Sequence, residues 1–188
     1  MTIAVLALQG AFAEHEKVLD RLGVSHIELR QARDLETPYD GLILPGGEST
    51  VQSKLLKELG MFDTLKEQIM NGMPVLSTCA GMILLASEIE GQDSCHFGTI
   101  PMRVRRNAYG RQLGSFHTEA EVQSVGTVPM TFIRAPYVSK VFEETEVLAS
   151  VDDRIVGVQY QKQLAFAFHP ELDEDTRIHE KFLSLIAK

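Results

Sequence analysis

Three side chains have the types and spacing of a nucleophile, its base and an orienting carboxylate. They are Cys79, in PVLSTCAGM (74–82), and His169 and Glu171, in FAFHPEL (166–172). Residues 75–78 read as a buried strand, and Ala80 and Gly81 follow the cysteine before another apolar run that reaches Leu85. A sharp strand-to-helix turn there pushes the thiol out of the sheet, and two small residues keep bulk away. This is the logic of a nucleophile elbow, with sulfur in place of hydroxyl. The positive end of the following helix favours thiolate over thiol. An isolated cysteine is more often an ordinary core residue, so its partners must carry the reading. His169 ends an apolar strand and Glu171 lies two positions on, so in an extended segment both side chains project to one side. The histidine then takes the thiol proton and returns one to a leaving amine, while the glutamate orients and charge-stabilises the imidazole. Taken alone, His-Pro-Glu also fits a capping or surface histidine beside a solvated carboxylate.

A third element is PGGEST (45–50), directly after the apolar run 41–44. Two adjacent glycines let backbone approach a ligand closely, and their amides can face an oxyanion. A Gly-Gly turn after a strand is a weak signal by itself, but this one belongs to the same sheet edge as Cys79.

The elements that must hold these groups alternate in the first half. Strand-like runs at 3–8, 25–29, 41–44 and 74–78 are separated by helical patterns at 13–22, 50–59 and 61–70. Such alternation predicts βαβ units and a parallel sheet covered on both faces, with ligands beyond the carboxyl ends of the strands. In the second half, runs at 102–105, 119–123, 131–134, 146–151, 154–160 and 164–168 leave no room for helices and read as added, largely antiparallel strands. A helix at 174–187 closes the pattern, with Ile178, Phe182, Leu185 and Ile186 on one stripe. The expectation is a three-layer α/β, flavodoxin-like sheet forming one domain over 1–188.

Composition narrows the partners. The 188 residues carry 18 basic against 26 acidic side chains, a net charge of −8, with no long basic run. Nucleic acid and anionic membrane are therefore poor partners. MTIAVLALQG lacks a charged leader and no apolar stretch approaches the ~20 residues of a membrane span, which predicts a cytoplasmic chain. Two cysteines, Cys79 and Cys95, make neither a disulfide framework nor a metal knuckle. Cys95, in GQDSCHFG (91–98), has no elbow and no carboxylate and reads as a spectator. His15 and His179 read as helix-surface residues, and His26 has no partner by spacing.

LPGGEST, STCAG and HPE, in this order and over this length, resemble the class I (triad) glutamine amidotransferases. VLALQGAFAEH (5–15), RRNAYGRQLGSF (105–116) and FIRAPYV (132–138) narrow the likeness to the glutaminase subunits of pyridoxal 5'-phosphate synthase. The resemblance covers essentially the whole chain. It implies that Cys79 attacks the side-chain amide of L-glutamine, with the oxyanion held by N–H groups of Gly47 and Ala80. His169, supported by Glu171, serves as acid and base, and neither a metal nor an organic cofactor takes part. It implies further that Gly46, Gly47, Glu48, Ser49, Arg106, Ile133 and Arg134 bind the substrate. An α-carboxylate does call for an arginine or backbone donors, although an arginine beside Arg103 and Arg105 often belongs to a solvated face. The implied partner is a (β/α)8-barrel synthase subunit in a large hetero-oligomer, which receives the ammonia. Two departures from the family pattern stand out. Ser77 replaces a glycine, which tightens the elbow. His117 replaces an acidic residue, which alters contact with the synthase or local pairing with Arg103 or Arg105.

Overall fold

The structure, a computed structural model, describes residues 1–107 and 114–186. The stretch 108–113 of the RRNAYGRQLGSF motif and the end of the closing helix pattern, at 187, lie outside the described residues. Chain order is β1 (Thr2–Leu6), α1 (Phe12–Arg21), β2 (Ser25–Leu29), β3 (Gly41–Leu44), α2 (Ser49–Glu58), α3 (Phe62–Met70), β4 (Val75–Thr78) and α4 (Ala80–Leu85). Then follow β5 (Ala86–Ile89), β6 (Ile100–Arg105), β7 (Ser115–Val122), β8 (Gly126–Ile133), β9 (Tyr137–Val141), β10 (Glu146–Val151), β11 (Arg154–Tyr160), β12 (Gln163–Phe166) and α5 (Arg177–Ile186).

Among the described residues, ten strands make one sheet in the order β2-β1-β3-β4-β12-β11-β9-β6-β5, with β10 on β11. The block β2-β1-β3-β4-β12 is parallel throughout. Its inner strands β3, β4 and β12 are buried at every position, as strands covered on both faces must be, while the edge strand β2 is only partly buried. Beyond β12 the pairing turns antiparallel, β12 to β11, β11 to β9 and β9 to β6. The α/β architecture with added antiparallel strands is the one expected.

Two strands escaped the reading. β5 follows α4 without a turn, at Ala86, so the apolar run 82–89 carries no punctuation between helix and strand. β9 starts on the last two residues of FIRAPYV and has an exposed Ser139 and Lys140, which blur its alternation. The last helix begins at Arg177, after a helical turn at Pro170–Leu172 and the capping contact of Asp175 with the Arg177 N–H.

The consequence for function lies in the order β3-β4-β12. Three parallel neighbours end at one edge of the sheet, and their next residues are the glycine loop, the cysteine and the histidine. The hairpin of β7 and β8, paired from Ser115↔Ile133 to Val122↔Gly126, closes over that edge. It is anchored by Phe132, whose ring packs between Phe116 and Phe168 at centroid distances of 4.5 and 5.8 Å.

Candidate active site

Cys79 is the residue between β4 and α4, with φ 47° and ψ −102°. A non-glycine residue there costs roughly 1–3 kcal/mol and persists only where neighbours impose it. Here the Cys79 N–H donates to the Phe166 carbonyl on β12 at 2.8 Å. The neighbouring Ser77 hydroxyl, at the departure from the family glycine, donates to the Leu164 carbonyl at 3.1 Å. Ser77 is thus a second rivet between β4 and β12.

His169 follows β12, and its own N–H donates to the Thr131 carbonyl of β8 at 2.8 Å. Its Nδ1–H donates to Glu171 Oε1 at 2.6 Å. The segment is not extended, as the spacing suggested: Pro170–Leu172 is one 3-10 turn, which folds Glu171 back behind the ring. Cys79, His169 and Glu171 are all buried. Burial alone disfavours an imidazolium, but hydrogen bonds to Cys79 and Glu171 and the Glu171 charge outweigh it, raising the His169 pKa from 6.5 to about 10. Glu171 is held below the ordinary carboxyl range: burial works the other way, and His15 and His169 overcome it. An imidazolium beside the sulfur is the electropositive surrounding that reactive cysteines share.

Gly46 lies against both groups. A Cβ added there falls 2.3 Å from His169 Cε1 and 3.4 Å from Cys79 Cβ, so only glycine lets the loop approach the ring. The loop is pinned on every side. Gly46 N–H donates to Thr78 Oγ1 at 3.1 Å, Glu48 N–H to Gln9 Oε1 at 2.8 Å, and Ala11 N–H to the Gly46 carbonyl at 2.9 Å. Gln52 Nε2 donates to the Gln9 and Pro45 carbonyls.

These groups border a cavity of about 490 Å³, inside the ~300–1,000 Å³ range of small-molecule sites. Cys79 and His169 reach it, as do Gly46, Gly47, Glu48, Ser49, Arg106, Ile133 and Arg134. Glu171 stands behind His169, and Ala80 opens α4, where a first-turn N–H has no acceptor within the helix. Arg106 Nη2 pairs with Glu48 Oε1 at 2.9 Å, and the same carboxylate caps α2 through the Thr50 N–H. Ile133 and Arg134 arrive on the end of β8, Arg134 with φ 46° and its N–H on the Gly114 carbonyl. Among the described residues no group of three or more His, Cys, Asp or Glu is placed to hold a metal ion, and no helix is long and apolar enough to cross a membrane.

Several side chains stand elsewhere than expected. His15 and His179 are not on the surface: both are wholly buried, ring to ring, directly behind the site. Their helical spacing held the signal, since His15 shares a face with Val18 and Leu19, and His179 with Ile178 and Phe182, all buried. His26 does have a partner, Asp20 at 3.0 Å. His117 pairs with neither arginine: its Nδ1 lies 3.0 Å from Thr131 Oγ1 and 3.9 Å from Asp173, while Arg103 pairs with Glu88 and Arg105 with Glu90. Glu14 and Leu172 also line the cavity, and nothing in the sequence had singled them out.

The model of the SNO glutamine amidotransferase family matches residues 5–188. The chain belongs to that family. Among similar proteins, the pyridoxal 5'-phosphate synthase subunit PdxT of Desulfitobacterium hafniense (strain DSM 10664 / DCB-2) is 57% identical over 187 residues, covering 100% of this chain and 94% of the relative. The protein of the same name from Streptococcus pneumoniae (strain CGSP14) is 54% identical, covering 98% and 97%. A crystal structure described as glutamine amidotransferase superposes with a TM-score of 0.93 at 44% identity, covering 99% of each chain. A glutamine amidotransferase from Thermotoga maritima, at 18% identity and a TM-score of 0.65, covers 100% of this chain and 84% of its own, and shares the fold. The cavity presents a thiol, an arginine, a glutamate and glycine backbone.

Proposed function

We propose that this chain hydrolyses L-glutamine to L-glutamate and ammonia and passes the ammonia to a synthase subunit that makes pyridoxal 5'-phosphate. The observation that carries the reading is Cys79 on a strained elbow, lining one cavity with His169, which is bonded to a buried Glu171 at 2.6 Å. Cys79 Sγ attacks the side-chain amide carbon, and the oxyanion is met by the N–H groups of Gly47 and Ala80. His169, already protonated, donates to the departing nitrogen, and the C–N bond breaks to release ammonia. The same imidazole, now neutral, takes a proton from water, which attacks the γ-glutamyl thioester. Glutamate leaves and the thiol is restored. Glu171 holds the ring and balances its charge throughout.

Arg106 is the group for the substrate α-carboxylate and Glu48 for its α-amino group, so substrate binding exchanges their mutual ion pair for two pairs with the ligand. Gly46, Ser49, Ile133 and Arg134 complete the walls. The whole of 1–188 works as one domain, because a single sheet runs from the glycine loop to the last strands. Ile133 and Leu172, exposed apolar residues that line the cavity, support docking of the synthase over this mouth. That partner is a (β/α)8 barrel within a larger hetero-oligomer.

The test is glutamate release from glutamine with and without the pyridoxal 5'-phosphate synthase subunit, with Cys79→Ala as blank. Activity that rises with the synthase and vanishes in the variant is expected. Full activity without the synthase overturns the partnership, and none in either case overturns the chemistry.

A further inference from the structure

Glu171 has two carboxylate oxygens, and His169 engages only one. Oε2 is buried and makes no hydrogen bond among the described residues. The group that faces it is Nε2 of His15, 3.5 Å away. A buried carboxylate oxygen without a donor loses its hydration without replacement, so the identity of the atom on that side matters. The same His15 Nε2 lies 3.2 Å from Thr78 Oγ1, which accepts the Gly46 N–H. On its other side, His15 Nδ1 lies 2.9 Å from His179 Nε2.

Two proton arrangements fit these contacts. In one, His15 carries its proton on Nε2, directed between Glu171 and Thr78, and His179 Nε2–H donates to His15 Nδ1. The lone pair of His179 Nδ1, buried without a partner, and the rotatable Thr78 hydroxyl hydrogen are then unused. In the other, Thr78 donates to His15 Nε2 and His15 Nδ1–H donates to His179. That leaves a buried N–H at His179 Nδ1 unpaired and turns a nitrogen lone pair toward the Glu171 carboxylate. The first wins, because a fixed ring N–H left unpaired together with a lone pair against an anion costs more than an idle acceptor and a hydroxyl hydrogen that can rotate. Both rings are neutral in this arrangement: burial holds His15 below its ordinary pKa despite the pull of Glu171 and Glu14, with His169 acting the same way as burial, and burial together with His15 and Arg21 holds His179 well below its own.

We infer that His15 is a positioning residue of this site: its Nε2–H, on Thr78 Oγ1 and turned toward Glu171 Oε2, sets the carboxylate behind His169 and the Gly46 loop in one buried register. It touches neither substrate nor sulfur. Its work is to keep Glu171 ionised and aimed at His169 Nδ1 while the hydroxyl that accepts its proton also fixes the loop. This rests on the reading of Cys79, His169 and Glu171 as the hydrolytic group.

The wild-type chain gives the first test. Long-range nitrogen NMR of the histidine rings should show His15 neutral and protonated at Nε2 near neutral pH; a ring protonated at Nδ1 alone overturns the inference without any variant. The second test compares His15→Gln, whose amide nitrogen reaches the Nε2 position, with His15→Asn, whose amide reaches only the Nδ1 position. Turnover is measured with the synthase present and referred to the folded fraction by circular dichroism. The Gln variant should keep kcat near wild type. The Asn variant should lose roughly 10- to 100-fold in kcat, the scale of losing one favourable contact to a buried carboxylate, with KM unchanged and the His169 titration moved down. Wild-type kcat in the Asn variant overturns the inference, as does an equal loss in both variants with His169 titrating as in the wild type. If the wild type itself releases no glutamate, the proposed function falls instead, and the tautomer still decides where His15 directs its proton.

Discussion

His169 Nδ1 and Glu171 Oε1 are 2.6 Å apart because the chain turns between them. Pro170 cannot donate, its fixed φ suits the first position of a helical turn, and one 3-10 turn brings the carboxylate beneath the ring it follows by two residues. A buried hydrogen bond of this length to a carboxylate holds Nδ1 and so turns Nε2 toward the substrate side. Glu171→Gln keeps the shape and removes the charge. Glutamate release should fall roughly 10²- to 10⁴-fold with the fold intact, the scale set by losing a general acid–base or the correct tautomer. Steady-state turnover with the synthase checks it.

The raised pKa of His169 gives stability a pH dependence with a definite sign. In the unfolded chain the ring titrates near 6.5 and in the native site near 10, so the folded state binds the proton more tightly. That stability is fully present below pH 6.5 and declines as pH rises toward 10. Glu171, held low, acts oppositely: its contribution is present above the unfolded carboxyl range and is lost in acid. Cys79→Ala removes one of the groups that raise His169. NMR titration of the His169 Cε1 proton should show a lower midpoint in that variant, and urea unfolding should show a flatter decline above pH 7.

Gly46→Ala tests the contact between loop and ring. The new Cβ meets His169 Cε1 at 2.3 Å, so either the loop or the imidazole must move. Turnover should drop by about 10² or more, since small misplacements of reacting groups have effects of that size, while thermal unfolding shifts little. Unchanged turnover would mean the loop already sits elsewhere when glutamine binds.

Arg106→Ala breaks the pair with Glu48 and removes the cation proposed for the substrate carboxylate. KM should rise roughly tenfold or more, with kcat nearly constant if the arginine binds ground and transition states alike. A fall in kcat at constant KM counts against that role.

Phe132→Ala probes the anchor of the β7–β8 hairpin. Phe132 is fully buried between Phe116 and Phe168, and its truncation should cost about 3–5 kcal/mol in urea unfolding. Because Ile133 and Arg134 follow directly, KM should suffer as well.

Much of this was legible in the residues. β-rich runs alternating with 3.6-period patterns specify a parallel block, and PVLSTCAGM announces the elbow through its strand, its cysteine and its two small residues. What stayed hidden depends on register and depth. His15 and His179 look polar on any scale, yet they sit on the apolar faces of α1 and α5 because two neutral rings satisfy each other across those helices. The turn at Pro170 was hidden for a local reason: FAFHPEL reads as an apolar strand until the proline, and tertiary contacts such as the His169 N–H on the Thr131 carbonyl decide that the chain bends there. β5 and β9 lack punctuation and alternation, the two signals by which strands are recognised.

β12 lies between β4 and β11 in the sheet although it is the last strand to be made. On the ribosome, Cys79 therefore emerges with β3, β4 and the glycine loop long before the strand that supplies its base. Until β12 inserts, β4 is paired on its β3 side alone, the elbow lacks the Phe166 carbonyl that holds its backbone, and the thiol has no imidazole beside it. The chain is thus armed by its final strand. A product that stops before β12 has the cysteine without His169 and Glu171.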